Sequence, residues 1–158
     1  MQTKWLTIFI ISGLITIVNT KRACIFNSTA CEKGWVQFER SCYQFLNKAV
    51  ILKEAVNYCN RVGAHLLEIK SSQEEKWVDL QLKIRGFQYV WIGLTDILKE
   101  NDFVFISTGG KPTFSNWGKN EPNNAGKTEH CVEKLAGSRW NDRSCDVKFP
   151  FVCERNSE

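Results

Sequence analysis

Three common features are absent from this sequence of 158 residues. It has no Cys-x-x-Cys motif, no apolar run of the ~20 residues that a membrane-spanning helix needs, and no pair of adjacent basic residues other than Lys21-Arg22. The 21 Lys and Arg exceed the 17 Asp and Glu by four charges spread along the chain, which argues against a nucleic-acid partner. With 43% hydrophobic and 24% charged residues, the chain is expected to form one globular domain.

The N-terminal segment predicts passage through the secretory pathway. Lys4 precedes an apolar stretch, Trp5–Val18, that is too short to span a membrane. Residues Met1–Thr20 are therefore expected to be a cleaved signal peptide, with an uncleaved anchor as the alternative. Asn27 begins an Asn-Ser-Thr triplet, the acceptor for N-glycosylation, in a tail formed by residues 21–30. The protein is predicted to be secreted and extracellular.

The seven cysteines indicate a disulfide framework made in an oxidising compartment. Six paired cysteines allow many connectivities, and the lengths of the intervening segments favour two local loops and one long loop. The favoured pairs are Cys31–Cys42, Cys59–Cys153 and Cys131–Cys145. Cys24 is left over in the N-terminal tail, where it either links two chains or stays capped or free.

Hydrophobic periodicity and end signals predict two helices and three strands. A capping box of Ser72 with Glu75 is expected at the start of the second helix, and Gly86 ends it. The predicted helices are Lys48–Arg61 and Ser71–Arg85, and the predicted strands are Val90–Leu94, Phe103–Phe105 and Val147–Glu154. Residues 107–124 form a long loop dense in Gly, Pro and Asn, and its aromatic residues Phe114 and Trp117 favour an ordered conformation.

Oxygen-bearing side chains cluster around the last of the favoured disulfides. Five of them lie at the end of the long loop or just before a cysteine of that pair: Glu121, Asn123, Glu129, Asn141 and Asp142. Three carboxylates at a few ångströms repel one another by several kcal/mol unless a cation lies between them. Hard oxygens without imidazole or thiolate suit calcium rather than zinc, so the sequence predicts a Ca²⁺ site.

Further motifs make the chain resemble the C-type lectin carbohydrate-recognition domain over nearly all of Cys31–Glu154. They are Gly34-Trp35, Ser41-Cys42-Tyr43, Gly63-Ala64-His65-Leu66, Trp91-Ile92-Gly93-Leu94, Glu121-Pro122-Asn123, Trp140-Asn141-Asp142 and Pro150-Phe151-Val152-Cys153-Glu154. The resemblance implies an α+β domain at residues 31–155, with two helices, small antiparallel sheets, a long calcium-binding loop and disulfide staples. The extra pair of Cys31 with Cys42 resembles the long form of the domain.

The resemblance also implies how the site works. The five oxygen ligands would hold the principal calcium and the sugar, and the bond between Glu121 and Pro122 would be cis. The acid-then-amide order of Glu121 and Asn123 goes in this family with mannose-type sugars, which have equatorial 3- and 4-hydroxyls. A second, auxiliary calcium would use Asp96, Glu100 and Asn124. Single sites should bind weakly, so a homodimer linked through Cys24 would supply two of them.

Two classes of function compete. The first is a calcium-dependent receptor for glycans, acting in microbial recognition or agglutination. The alternative is a module that binds a protein or mineral surface without calcium. An enzyme is disfavoured because the acids are all needed as metal ligands, and the chain has neither a Ser/His/Asp order nor a free active-site cysteine once the disulfides form.

Overall fold

The computed structural model describes residues 9–11, 14–16, 31–137 and 139–157. Within them, the helices are α1 (Leu52–Arg61) and α2 (Ser72–Arg85), with one 3₁₀ turn at Ala125–Lys127. The strands are β1 (Phe9–Ile11), β2 (Leu14–Thr16), β3 (Val36–Phe38), β4 (Ser41–Val50), β5 (His65–Leu66), β6 (Tyr89–Thr95), β7 (Val104–Phe105), β8 (Cys131–Leu135), β9 (Trp140–Arg143) and β10 (Phe149–Asn156). This is the α+β arrangement that the sequence predicts.

The N-terminal expectations fall mostly outside the described residues. Strands β1 and β2 pair antiparallel within the predicted signal peptide, and Ile10 is opposite Ile15. Cys24 and Asn27 lie outside the described residues. No helix in the described ranges has the length and apolar character to cross a membrane.

The main sheet has the strand order β3-β4-β10-β6-β8-β9, with β5 added beside β10 and β7 beside β6. The pairs are antiparallel, as expected, except that β10 and β6 are parallel where Phe151 meets Trp91. The C-terminal strand β10 therefore lies between β4, from the first half of the chain, and β6, from the second half. Its pairing with both strands holds the two halves in one domain.

The two helices contribute to two different hydrophobic clusters, which share the central strand β6. Val90 and Ile92 belong to the cluster that contains Val78 of α2. Trp91, which alternates with them, belongs to the cluster that contains Ala55 of α1. Because successive strand residues point to opposite faces, β6 has to be apolar on both faces, and this explains its unbroken run of apolar residues.

One predicted helix start and one predicted helix cap are wrong. The first helix begins at Leu52 rather than Lys48, because β4 continues as far as Val50 and pairs with β10. Sheet hydrogen bonds thus override the local helical periodicity. The second helix is capped by Ser71, whose Oγ accepts the N–H of Glu74 at 3.1 Å, rather than by Ser72. Its C-terminal cap at Gly86 is confirmed, in the left-handed conformation with φ of 72°.

All three expected disulfides are present. They join Cys31 to Cys42, Cys59 to Cys153 and Cys131 to Cys145. The second spans 94 residues and ties α1 to β10, a loop length at which the chain-entropy model gives about 4–5 kcal/mol of stabilisation. The third joins the start of β8 to the segment that follows β9, and so holds the hairpin that carries Asn141 and Asp142.

The long loop is held against α2 through a buried acid. Glu75 of α2 accepts hydrogen bonds from Asn116 Nδ2 (2.8 Å) and Trp140 Nε1 (3.2 Å), and it pairs with Lys134 Nζ at 2.7 Å. Lys134 is fully buried and also lies 2.7 Å from Asp79. The loop is therefore ordered by polar contacts on α2 and β8, as well as by its aromatic residues.

Candidate functional site

The end of the long loop is fastened to β9 by the Asp142 carboxylate. Asp142 is 1% exposed, and its two oxygens accept the backbone N–H groups of Asn123 at 3.0 Å and Asn124 at 2.7 Å. An ionised carboxylate is a strong acceptor for two backbone N–H donors, because such charge-assisted hydrogen bonds are short and strong. This contact brings the Glu-Pro-Asn segment to the Asn-Asp pair, 18 to 19 residues further along the chain.

Glu121 directs its carboxyl group to the same point. The peptide bond between Glu121 and Pro122 is cis, as expected. Burial, the adjacent Asp142 carboxylate and the nearby Glu129 raise the pKa of Glu121, against the opposing effect of a hydrogen bond with the Asn123 side chain. Glu121 Oε2 is buried and has no hydrogen-bond partner within the described ranges.

Glu129 is positioned by the short turn that precedes β8. Its Oε2 accepts the N–H of Ala125 at 3.0 Å, and its own N–H donates to Asn124 Oδ1 at 3.0 Å. Only 7% of Glu129 is exposed, and its Oε1 lies 3.6 Å from a guanidinium nitrogen of Arg143. Backbone contacts therefore hold the Glu129 carboxylate in place, near enough to Glu121 to raise the pKa of that acid.

Asn141 is oriented by Glu133, a residue that sequence reasoning missed. The two face each other on β9 and β8, and Asn141 Nδ2 donates to Glu133 Oε1 at 3.0 Å. Because a carboxylate can only accept, the amide nitrogen has to face Glu133 and the amide oxygen faces away. Arg143 Nε lies 3.3 Å from the same Glu133 oxygen. The signal was available, since an antiparallel hairpin between Cys131 and Cys145 sets Glu133 beside Asn141.

These residues fit a hard divalent cation. The Glu121 carboxyl group has the Asp142 and Glu129 carboxylates and the Asn123 amide near it, and one of its oxygens is buried without a partner among the described residues. An unpaired buried carboxylate oxygen is costly, and a calcium ion is the usual partner of a mixed carboxylate and amide oxygen set. The residues that could hold it are the five that the sequence predicts.

The residues predicted for the auxiliary calcium, Asp96, Glu100 and Asn124, also lie close together, and His130 joins them. Asn124 Nδ2 donates to Glu100 Oε2, and the Asn124 amide oxygen is already occupied by the N–H of Glu129. His130, which was not among the predicted ligands, lies 3.1 Å from Asp96 Oδ1 and 3.7 Å from Glu100 Oε2.

A shallow groove of about 460 Å³ runs along the sheet beside the principal site. Its lining includes Glu121 and Asn141 of the principal site, and also Arg143, Arg139 and Tyr89. Tyr89 is 38% exposed. The groove leaves room for a polar ligand larger than a single small group.

The sequence from residue 48 to residue 155 matches the family described as Lectin C-type domain. The chain belongs to this family of C-type lectin domains. It is 36% identical over 134 residues to asialoglycoprotein receptor 2 of Rattus norvegicus, a match that covers 81% of this chain and 43% of the receptor. This C-type lectin chain thus spans less than half the length of that curated relative.

Solved structures agree with the assignment. The C-type lectin domain superposes on the carbohydrate-recognition domain of the mouse scavenger receptor C-type lectin with a TM-score of 0.76 and 30% identity, covering 82% of this chain and all of that one. The cow CD23 carbohydrate-recognition domain, solved in the presence of a GlcNAc2Man3 oligosaccharide, gives a TM-score of 0.74 and 31% identity over 82% of this chain and 98% of that one.

Proposed function

We propose that this C-type lectin domain binds sugars through a calcium ion held by Glu121, Asn123, Glu129, Asn141 and Asp142. The observation that carries the proposal is the buried Glu121 oxygen, which lies near two further carboxylates and lacks a hydrogen-bond partner among the residues that the structure describes. Calcium accepts six to eight oxygen ligands, and this set offers carboxylate and amide oxygens without any nitrogen or sulfur ligand.

The side chains recognise a sugar hydroxyl by complementary hydrogen bonding. The carboxylates of Glu121 and Glu129 accept from the hydroxyl, and the amide groups of Asn123 and Asn141 donate to it. When bound, calcium offers coordination positions to the two oxygens of a vicinal diol. Asn141 has two N–H groups and gives one to Glu133, and we propose that it offers the second to the ligand.

We infer a preference for mannose-type sugars. The acid-then-amide order of Glu121 and Asn123 fixes the direction of the hydrogen bonds around the diol. The similarity to the cow CD23 domain, which was solved with an oligosaccharide that contains mannose, supports this assignment.

We also propose that the protein acts outside the cell, as a secreted lectin with Asn27 glycosylated, and that Cys24 links two chains. The three disulfides of the folded domain support an oxidising compartment. Because water competes strongly for a small polar ligand, two linked sites would raise the apparent affinity for a glycan-coated surface.

Binding to immobilised mannose tests the proposal. The protein should be retained in calcium and released by EDTA, whereas retention after chelation would support the alternative, a calcium-independent protein- or mineral-binding module. The double change Glu121→Gln with Asn123→Asp should move the preference toward galactose. The matched control is Glu54→Gln with Asn57→Asp on the exposed face of α1, which should leave the preference unchanged. An unaltered preference in the Glu121 and Asn123 double variant would refute the hydrogen-bond direction.

A further inference from the structure

A second cluster of ligating side chains lies beside the principal set, where the turn after β6 meets the start of β8. Asp96, Glu100 and His130 each offer an atom there, and these atoms all lie within 4.8 Å of one another. Within the described ranges, this is the only group of three His, Cys, Asp or Glu side chains that meets this distance.

The backbone around this cluster is fixed. Asp96 is 2% exposed, and its Oδ2 accepts the N–H of Asn101 at 2.8 Å, which leaves Oδ1 facing the imidazole. The His130 carbonyl accepts from the Thr95 hydroxyl at 2.6 Å and from the N–H of Asp96 at 3.3 Å. The buried carboxylate and the imidazole are thus held by hydrogen bonds that no metal ion is needed to form.

The ligand set is wrong for calcium. Calcium takes six to eight oxygens, but here an imidazole nitrogen of His130 stands between the two carboxylates. The remaining polar neighbour, Asn124, turns its amide nitrogen toward Glu100, and its oxygen is occupied by the N–H of Glu129. One imidazole and two carboxylates form instead a three-ligand set that borderline transition metals prefer.

The distances suit a zinc-sized ion. Two ligand atoms about 2.0–2.1 Å from a tetrahedral metal are separated by roughly 3.3 Å. His130 Nδ1 lies 3.1 Å from Asp96 Oδ1 and 3.7 Å from Glu100 Oε2, which are close to that separation on either side. The Glu100 side chain is 45% exposed, so it can adjust by a rotamer change, and water would fill the fourth position of the ion.

We propose that Asp96, Glu100 and His130 form a binding site for zinc or a similar divalent transition metal, separate from the principal calcium site. The zinc site shares no ligand with the five residues assigned to calcium. A bound zinc ion would tie the Asp96–Asp102 turn to His130, which follows Glu129 and precedes β8. The proposal does not depend on sugar binding, so zinc binding can fail while mannose retention succeeds, and the reverse.

Calorimetric titration of zinc into the untagged full-length chain, in saturating calcium, tests the site. A Cys24→Ser background removes the one cysteine outside the three disulfides, so that thiol binding does not contribute. We expect one zinc ion per chain, and Co²⁺ in its place should give the visible absorption of a tetrahedral ion. His130→Ala should weaken zinc binding by at least about tenfold, since the loss of even an outer partner costs 10–100-fold in metal affinity.

His65→Ala is the matched control, since His65 is the only other histidine of the chain. It should leave the zinc affinity unchanged. If His130→Ala fails to fold, NMR of the two imidazoles in the protein that keeps both histidines tests the site instead. Zinc should shift the signals of His130 and not those of His65. The proposal is overturned if zinc does not bind in calcium, if calcium displaces it stoichiometrically, or if the loss of His130 leaves the affinity unchanged.

Discussion

Replacing Asp142 with asparagine should separate two effects of this carboxylate, one on the loop and one on the metal. Asp142 is 1% exposed and accepts one backbone N–H at each oxygen, from Asn123 and Asn124. Asparagine keeps one acceptor oxygen but turns an NH₂ group toward the second backbone N–H. The variant therefore loses one charge-assisted hydrogen bond and leaves a buried donor unpaired.

The expected magnitude follows from these contacts. A hydrogen bond to a charged group contributes about 1.5–3 kcal/mol, and losing the Asp142 charge also relieves part of its repulsion with Glu121, so the calcium-free variant should lose at most about 2–3 kcal/mol of unfolding free energy. For a domain of this size, that loss lowers Tm by roughly 4–12 °C. The charge of Asp142 is also lost to the metal site, so the further rise in Tm that calcium gives the unmodified protein should shrink.

Urea unfolding and calorimetry, each with EDTA and with calcium, measure both effects. Asp146→Asn makes the same chemical change at an exposed position next to the hairpin and should leave both Tm values unchanged. Equal stability of Asp142→Asn and the unmodified protein in EDTA would show that this carboxylate does not hold the loop. An undiminished rise in Tm with calcium would show that it is not a metal ligand.

Lys134→Met should lower the free energy of unfolding in urea by about 3–5 kcal/mol, because the buried Glu75 loses its cation. Lys53→Met on the exposed face of α1 should leave the unfolding midpoint unchanged, and equal midpoints for the two variants would contradict the pairing. Calcium binding should weaken already at pH values above 4.5, the ordinary pKa of glutamate, because the raised pKa of Glu121 lets protons compete with calcium there. Calorimetry that finds a constant calcium affinity down to pH 4.5 would refute this. Non-reducing gels should show a dimer that Cys24→Ser abolishes, and a monomer in both proteins would leave this cysteine capped or free.

Local sequence signals predicted the helices well and their first residues poorly. The periodicity of α1 and the Gly86 stop of α2 are properties of short segments, and both appear in the structure. Lys48–Val50 belongs to β4 and not to α1 because the strand it pairs with, β10, lies about a hundred residues away. Long-range strand pairing is invisible to a local pattern, and it overrides local preference when the two conflict.

The five proposed calcium ligands could be found from sequence because their residue types and spacing follow from coordination chemistry and a disulfide. The residues that orient these ligands could not be found in this way. Glu133 sets the amide of Asn141, and Arg143 contacts both Glu133 and Glu129, through contacts across β8 and β9. Such contacts depend on strand register, which the cysteine spacing constrains and the folded hairpin fixes.

The sequence by itself determined the disulfide framework and the family, and it predicts the set of oxygen ligands, because each is written in residue types at fixed separations. Only the tertiary structure decided which donors those oxygens meet. Both oxygens of Asp142 accept from the loop backbone, one oxygen of Glu121 is buried without a partner in the described part of the chain, and His130 lies between two carboxylates. Hydrogen-bond partners are chosen at distances near 3 Å, and only the packing of residues far apart in the chain sets distances of that size.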